Sequence, residues 1–187
     1  MADWRLFIAV ALPEAARQVL AAVQRELAGS GADVKWSRPE NTHLTLKFLG
    51  DTPQAEVPDL SAALDEAARA GRPCVARLGH VGAFPDVRRP RVLWVGLDEP
   101  TGELVALQKR VEQATAYLAD ADPRGWAAHL TLGRMRSGRG VQRLSELLQG
   151  YRLASAVEIP VREVVLIRSV LSRAGPAYTP LHRAAIG

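Results

Sequence analysis

The sequence predicts an α+β protein built as two lobes. Strand-like and helix-like segments follow one another in an order unlike the regular strand–helix–strand series of a parallel sheet. A strand, a helix, a second strand and a His-containing strand in residues 1–50 are echoed, in reduced form, by a strand, a helix and a His-containing strand in residues 91–136. The chain has 187 residues, of which 48% are hydrophobic and 24% charged. This length favours one domain over residues 1–187 whose two lobes are related by an approximate two-fold axis.

The first half of the chain is predicted to alternate strands with two helices. A first helix begins after Pro13 and ends at Gly29, with its apolar residues on one face. The strands 34–36 and 43–49 are expected to pair with each other, and residues 50–53 to form a turn before a second helix that Pro58 interrupts or restarts. The other strands predicted here are 4–11, 74–83 and 91–97.

The second half contains the clearest helical pattern. Leu104, Leu107, Val111, Ala114 and Leu118 recur at spacings of three and four, which predicts a helix over residues 102–119. A shorter helix is expected near 141–148, and strands at 129–134, 153–159, 163–171 and 178–183.

Composition excludes several classes of protein. No apolar run approaches the roughly 18 residues of a membrane span, and the short apolar run 6–12 is interpreted as a strand rather than a signal peptide. The single cysteine, Cys74, excludes an intramolecular disulfide framework and a Cys-rich metal site. Glycine-rich phosphate-binding loops of the ATP and NAD types are absent from the sequence, so no cofactor is implied. A cytoplasmic monomer is the simplest expectation.

The net charge of +4 is unevenly distributed. Residues 1–120 contain 14 Lys and Arg against 16 Asp and Glu, whereas residues 121–187 contain 10 against 4. This excess of basic residues suggests an anionic partner such as RNA or a phosphorylated ligand, although a solvated arginine-rich surface would have the same composition. The same two interpretations apply to Arg88, Arg89 and Arg91 in the loop between two predicted strands.

A repeated tetrapeptide carries the chemical information. His43-Leu-Thr-Leu46 recurs as His129-Leu-Thr-Leu132. With 4 His and 7 Thr in the chain, chance gives about 0.15 His-x-Thr pairs, so two occur by accident in about one chain in a hundred. The other two histidines, His80 and His182, lack the Thr and are interpreted as structural or surface residues.

The spacing of the motif places its polar groups together. In a strand, residues two apart share a face, so each His lies beside its Thr while the leucines point to the core. Two such strands facing one another suit in-line attack at phosphorus: a neutral His accepts a proton from the nucleophile and a protonated His donates one to the leaving oxygen. Thr45 and Thr131 would donate hydrogen bonds to phosphoryl oxygens, and Arg134 would add a charged contact. A zinc site is disfavoured, because a catalytic zinc normally has three protein ligands.

With these motifs, the sequence resembles the 2H phosphoesterase superfamily, and specifically the RNA 2′,3′-cyclic phosphodiesterases, historically named 2′-5′ RNA ligases. The resemblance covers nearly the whole chain. The segments that carry it are 5–13 (RLFIAVALP), 36–50 (WSRPENTHLTLKFLG), 82–85 (GAFP), 90–94 (PRVLW), 129–134 (HLTLGR), 168–172 (RSVLS) and 175–178 (GPAY).

The resemblance implies a bilobal fold in which antiparallel sheets line a central cleft and helices lie outside. It implies metal-independent opening of an RNA or nucleotide 2′,3′-cyclic phosphate to a 2′-phosphate, with His43 donating a proton to the leaving oxygen and His129 activating water. Thr45, Thr131 and Arg134 are the implied phosphate-binding residues. Reversal of the reaction by a 5′-hydroxyl implies an ATP-independent 2′-5′ ligation of RNA ends.

Two other functions remain open at the level of sequence. The same cleft would serve a non-catalytic RNA- or phosphate-binding module, or a phosphodiesterase of small cyclic nucleotides. Trp36, Phe48 and Trp126 lie near the motifs and are candidates for stacking on a nucleobase, although aromatic residues in strands belong more often to the core.

Overall fold

A computed structural model describes residues 3–153, 157–172 and 175–187 and confirms the bilobal α+β fold. The elements defined within these residues are nine strands and four α-helices. The strands are β1 (Asp3–Ala11), β2 (Val34–Trp36), β3 (His43–Pro53), β4 (Cys74–Phe84), β5 (Val92–Asp98), β6 (His129–Met135), β7 (Glu158–Val161), β8 (Glu163–Ser172) and β9 (Gly175–Ala185). The helices are α1 (Glu14–Ala28), α2 (Val57–Arg69), α3 (Glu103–Ala114) and α4 (Val141–Gly150).

The strands form two antiparallel sheets. One sheet, sheet A, has the order β3-β1-β8-β9, and the other, sheet B, has the order β2-β6-β5-β4-β7. Sheet A is strongly curled, since His43 on one outer strand and Tyr178 on the other have ring centroids only 5.3 Å apart. Helix α2 packs on β8 and β9, and α3 on β3, whereas α1 packs against α4 and reaches sheet B through Gln24. The rings of His43 and Tyr178 therefore lie together on the concave face of sheet A.

The chain crosses between the sheets several times, and the predicted pairing of 34–36 with 43–49 is wrong. Strand β2 pairs with β6 in sheet B, whereas β3 pairs with β1 in sheet A. The 3₁₀ turn Pro39–Asn41 lies between them, and its fixed proline backbone carries the chain from one sheet to the other. Each lobe is therefore assembled from both halves of the sequence, and not from one copy of the repeat.

Three predicted boundaries also change. Residues 50–53 continue β3 instead of forming a turn, because Gly50 adopts a positive φ of 72° and the strand keeps pairing with β1 as far as Pro53. The helix predicted to reach residue 119 ends at Ala114, where the Thr115 hydroxyl donates to the Val111 carbonyl. Pro58 lies in the first turn of α2, where the missing N–H costs nothing.

The remaining difference concerns the strand predicted at 153–159. Residues 154–156 lie outside the described residues, and the strand β7 begins at Glu158. The other helices and strands are found close to their predicted positions.

The leucines of the two motifs anchor both sheets in the core. Leu44, Leu46, Leu130 and Leu132 are at most 1% exposed and belong to one continuous cluster that includes residues of both sheets and all four helices. Removing such side chains from water is the main stabilising contribution to the fold. No helix within the described residues has the length and apolar character needed to cross a membrane.

Candidate active site

The two His-x-Thr motifs occupy the same position on two strands that lie next to each other, β3 of sheet A and β6 of sheet B. In each strand the His and the Thr lie on one face and the leucines on the buried face, as predicted. A β-bulge follows the Thr in both strands, at Leu46 and at Leu132. Because a bulge shifts the alternation of side chains by one, the next residue on the polar face is Phe48 in β3 and Arg134 in β6.

Both imidazoles are held in the same way. His43 Nδ1 lies 2.8 Å from the Asn41 carbonyl oxygen, and His129 Nδ1 lies 2.8 Å from the Ala127 carbonyl oxygen. A carbonyl oxygen can only accept a hydrogen bond, so Nδ1 carries the hydrogen in both rings. Nε2 is thus the nitrogen of each ring that gains or loses a proton, and the two histidines are equivalent in tautomer and orientation.

The surroundings of His43 are aromatic and buried. Its ring stacks on Phe7 of β1 at a centroid distance of 4.6 Å, and the edge of Tyr178 of β9 packs against it. Burial lowers the pKa of His43 below its usual 6.5, because removal from water disfavours the charged ring, and the hydrogen bond to Asn41 opposes this effect only in part. The neutral form of His43 therefore predominates at pH 7 in the free protein.

His129 also lies against aromatic side chains. Phe84 of β4 packs edge-on against its ring at 5.1 Å, and Trp94 of β5 lies 6.4 Å away. The indole of Trp94 lies directly over Gly82, where a Cβ atom would be only 2.5 Å from the ring. A side chain at residue 82 would thus displace the aromatic surface that supports His129.

A hydrogen bond joins the two motifs. Trp126, three residues before His129, donates from Nε1 to the backbone carbonyl of Thr45 over 2.9 Å. Gln24 of α1 holds the β6 motif from the other side, because its side-chain amide donates to the carbonyls of Ser37, just after β2, and of Leu132 in β6. The Trp126 bond ties β3 to the segment before β6, and the Gln24 bonds tie β6 to α1. Sequence reasoning missed both roles, because neither residue belongs to a local pattern that indicates a long-range hydrogen bond.

Of the residues predicted to stack on a base or to bind phosphate, some lie on the polar faces of β3 and β6 and others lie elsewhere. Trp36 lies on the core face of β2 beside Gln24 and Ala21 of α1, so it is not available for stacking in the cleft. Trp126 is occupied by its bond to Thr45. Phe48 is 62% exposed on the same face as Thr45. Arg134 is exposed on the polar face of β6.

The other candidates are three arginines and two histidines outside the two motifs. Arg88, Arg89 and Arg91 are exposed on the hairpin between β4 and β5, where Asp86 accepts the backbone N–H groups of the first two. His182 pairs with Asp65 of α2 at 2.8 Å, and His80 packs edge-on against Trp94. In the part of the chain that the structure describes, no three His, Cys, Asp or Glu side chains converge on a common point.

The fold and the paired motifs are those of the LigT-like phosphoesterases, and the chain belongs to this family. The family model, described as "LigT like Phosphoesterase", matches residues 10–94. A relative from Aquifex aeolicus, named "RNA 2′,3′-cyclic phosphodiesterase", is 32% identical over 97% of this chain and 94% of its own length. The family predicted from the sequence motifs is confirmed.

Solved structures agree with this assignment. The crystal structure of TT0787 of Thermus thermophilus superposes with a TM-score of 0.79 and 29% identity, covering 97% of each chain. Escherichia coli LigT superposes with a TM-score of 0.76 and 25% identity, covering 100% of this chain and 99% of its own. Crystal structures of LigT complexed with 3′-AMP and with ATP superpose with TM-scores of 0.72 and 0.77, each at 25% identity.

Proposed function

We propose that this protein hydrolyses 2′,3′-cyclic phosphates at RNA or nucleotide ends to 2′-phosphates, with His43 and His129 as a metal-independent acid and base. The observation that carries the proposal is the matched pair of imidazoles, each with Nδ1 bound to a carbonyl two residues earlier and with Nε2 bound to none of the residues that the structure describes. The names of the relatives and the nucleotides bound by LigT support the substrate class.

In the proposed reaction, His129 Nε2 accepts a proton from water as the water oxygen attacks phosphorus. The bond from phosphorus to O3′ breaks, and His43 Nε2 donates its proton to O3′, leaving a 3′-hydroxyl and a 2′-phosphate. Thr45 and Thr131, on the same faces as the two histidines, donate hydrogen bonds to the non-bridging oxygens where negative charge increases. Arg134, further along β6, adds a charge-assisted contact to a phosphate of the substrate.

The assignment of His43 as the acid requires a protonated ring, whereas burial lowers its pKa in the free protein. An anionic phosphate beside the ring has the opposite effect, because an opposite charge within a few ångströms stabilises the imidazolium. His43 thus acquires its proton together with the substrate. In the reverse direction a 5′-hydroxyl replaces water, and the same groups would join two RNA ends through a 2′-5′ linkage without ATP.

The test is incubation of the protein with a short RNA that ends in a 2′,3′-cyclic phosphate, in excess EDTA, with the product identified by phosphorus NMR. We expect a 2′-phosphate, and we expect His43→Ala and His129→Ala each to lower kcat by about 10² to 10⁴. His182→Asn, a histidine on the opposite side of sheet A, serves as the control.

Each other outcome has a definite meaning. Activity that depends on added metal would contradict the two-histidine mechanism. RNA that binds without turnover would support the non-catalytic binding module, and a 3′-phosphate product would keep the two histidines but reverse the leaving oxygen. Turnover of mononucleotides but not of RNA would favour a phosphodiesterase of small cyclic nucleotides.

A further inference from the structure

Two basic side chains lie side by side on the polar face of sheet B, beyond the His129 motif. Lys35 of β2 and Arg134 of β6 are directly opposite each other in the strand register, and both are exposed. These two residues begin a row of directly opposed residues across sheet B, which continues with Val92 of β5 and Phe84 of β4. Because Val92 and Phe84 are apolar, the positive charge of this row is confined to β2 and β6. Phe84 is the residue that packs against His129, which places this row at the edge of the candidate active site.

This juxtaposition does not stabilise the fold. Like charges directly opposite each other on neighbouring strands repel, and in the described ranges no carboxylate lies within 4.0 Å of either side chain. Asp33, which is two residues before Lys35, accepts a hydrogen bond from the Ser137 hydroxyl at 2.8 Å instead. Two facing cations without a protein partner are an arrangement suited to an anion from outside.

The position of the pair indicates which anion it would bind. Thr131 and Arg134 pair with Trp94 and Val92 of β5, so two residues of extended strand, or about 7 Å, separate Thr131 from the row that contains Arg134 and Lys35. Lys35 lies one strand further out than Arg134. A phosphate held by Thr131 and His129 is therefore a separate group from one held by Lys35. In RNA with a cyclic phosphate at its 3′ end, the nearest other phosphate is the one on O5′ of the same nucleotide.

We propose that Lys35, together with Arg134, binds the phosphate on O5′ of the terminal nucleotide, and that the ligand is consequently an RNA strand and not an isolated nucleoside cyclic phosphate. This inference rests on the proposed function for the placement of the cyclic phosphate. It adds a second phosphate subsite and a residue, Lys35, that the paired motifs do not contain.

Binding of product analogues tests the subsite without any need for turnover. We expect calorimetric titration to show adenosine 2′,5′-bisphosphate binding about tenfold more tightly than adenosine 2′-monophosphate, and Lys35→Met to remove most of the difference. Lys35→Arg should retain most of the preference. Lys109→Met, at an exposed lysine on α3, is the matched control and should leave both affinities unchanged. Equal affinities for the two ligands in the wild-type protein would overturn the proposal.

Kinetics then identify the source of the phosphate. For a dinucleotide ending in a 2′,3′-cyclic phosphate, Lys35→Met should lower kcat/KM about tenfold and weaken its salt dependence, while a nucleoside 2′,3′-cyclic phosphate with a free 5′-hydroxyl should be affected less than twofold. A loss restricted to a 5′-monophosphorylated mononucleotide would overturn the assignment to RNA. An equal loss on all substrates would overturn the subsite itself.

The two proposals fail separately. A protein that prefers the bisphosphate through Lys35 but hydrolyses no cyclic phosphate would retain the subsite and lose the proposed function. A protein that hydrolyses cyclic phosphates equally well with and without Lys35 would retain the proposed function and lose the subsite.

Discussion

Strands β3 and β6 begin with the same backbone design but differ in the two side chains that follow the shared motif. Both begin with His-Leu-Thr-Leu, both bulge after the Thr, and both hold the imidazole through a carbonyl two residues earlier. After the shared leucine, β3 continues with Lys47 and Phe48, and β6 with Gly133 and Arg134. The repeated backbone holds the two imidazoles in equivalent positions. Lys47 and Gly133 attach their strands to different neighbours, and Phe48 and Arg134 give the polar faces of the two strands different side chains.

The anchors differ because the two strands have different neighbours. Lys47 extends into the protein and donates to the Glu112 carboxylate and to the Ala119 carbonyl, at 2.7 Å for the latter, which ties β3 to the C-terminal end of α3. Gly133 lies against β2, where a Cβ atom would be 2.7 Å from Val34 Cγ1 and 3.0 Å from the Lys35 carbonyl. Strand β3 is thus held by the buried charge of Lys47, and β6 by the close approach of its backbone to β2 at Gly133.

The largest expected effect tests whether the two strands are equivalent in chemistry. Thr45→Val and Thr131→Val each remove a hydroxyl donor at nearly constant volume, so each should lower kcat/KM for a cyclic-phosphate RNA by about 10² to 10³. Thr179→Val, at an exposed position of β9, is the control. A large loss at only one threonine would show that the two strands contribute unequally to the transition state.

The next effect concerns the anchor of β3. Lys47→Met should lower the free energy of unfolding by about 3 kcal/mol, since it leaves Glu112 and the end of α3 without their cation. Glu112→Gln in the Lys47→Met background should recover part of this loss, because it removes the unpaired carboxylate. Urea denaturation measures both values. Unchanged stability in the single variant would contradict the structural role of Lys47.

A smaller effect is expected at the connection between the strands. Trp126→Phe removes the Nε1 donor to the Thr45 carbonyl while keeping an aromatic ring, so kcat should fall about tenfold with little change in KM or melting temperature. Trp36→Phe, on the opposite face of sheet B, should leave kcat unchanged. If both variants keep full activity, the hydrogen bond does not position the motifs.

The smallest effect is the lowered proton affinity of the buried His43. NMR titration should give His43 a pKa below 6.5 in the free protein, and addition of adenosine 2′-monophosphate should raise it. The lowered pKa means that the unfolded chain binds this proton more tightly than the folded one. Well above pH 6.5 the ring is neutral in both states, so its lowered pKa does not change the free energy of unfolding. As the pH falls through 6.5 and below, the unfolded chain takes up the proton first, and the free energy of unfolding of the wild-type protein decreases.

His43→Gln removes this contribution. The stability difference between wild type and variant should be constant above pH 7 and should shift in favour of the variant in more acidic solution, as measured by urea denaturation across that range. A difference that does not change with pH would contradict the burial effect.

The sequence by itself determined the class of fold, most of the helices and strands, and the chemical groups of the candidate site. These depend on local information: the alternation that sends Leu44 and Leu130 to the core, the three- and four-residue spacing of α3, and the repeat of His and Thr. The resemblance to known phosphoesterases depends on the same short motifs.

Only the tertiary structure decided how these elements combine. The pairing of β2 with β6, the fate of Trp36, the bond from Trp126 to Thr45 and the opposition of Lys35 to Arg134 all join residues that are far apart in the sequence. Strand order and register follow from packing across the whole chain, and a one-residue bulge reverses the face of every side chain after it. Local patterns therefore predict the two histidines, and the fold alone brings their strands together.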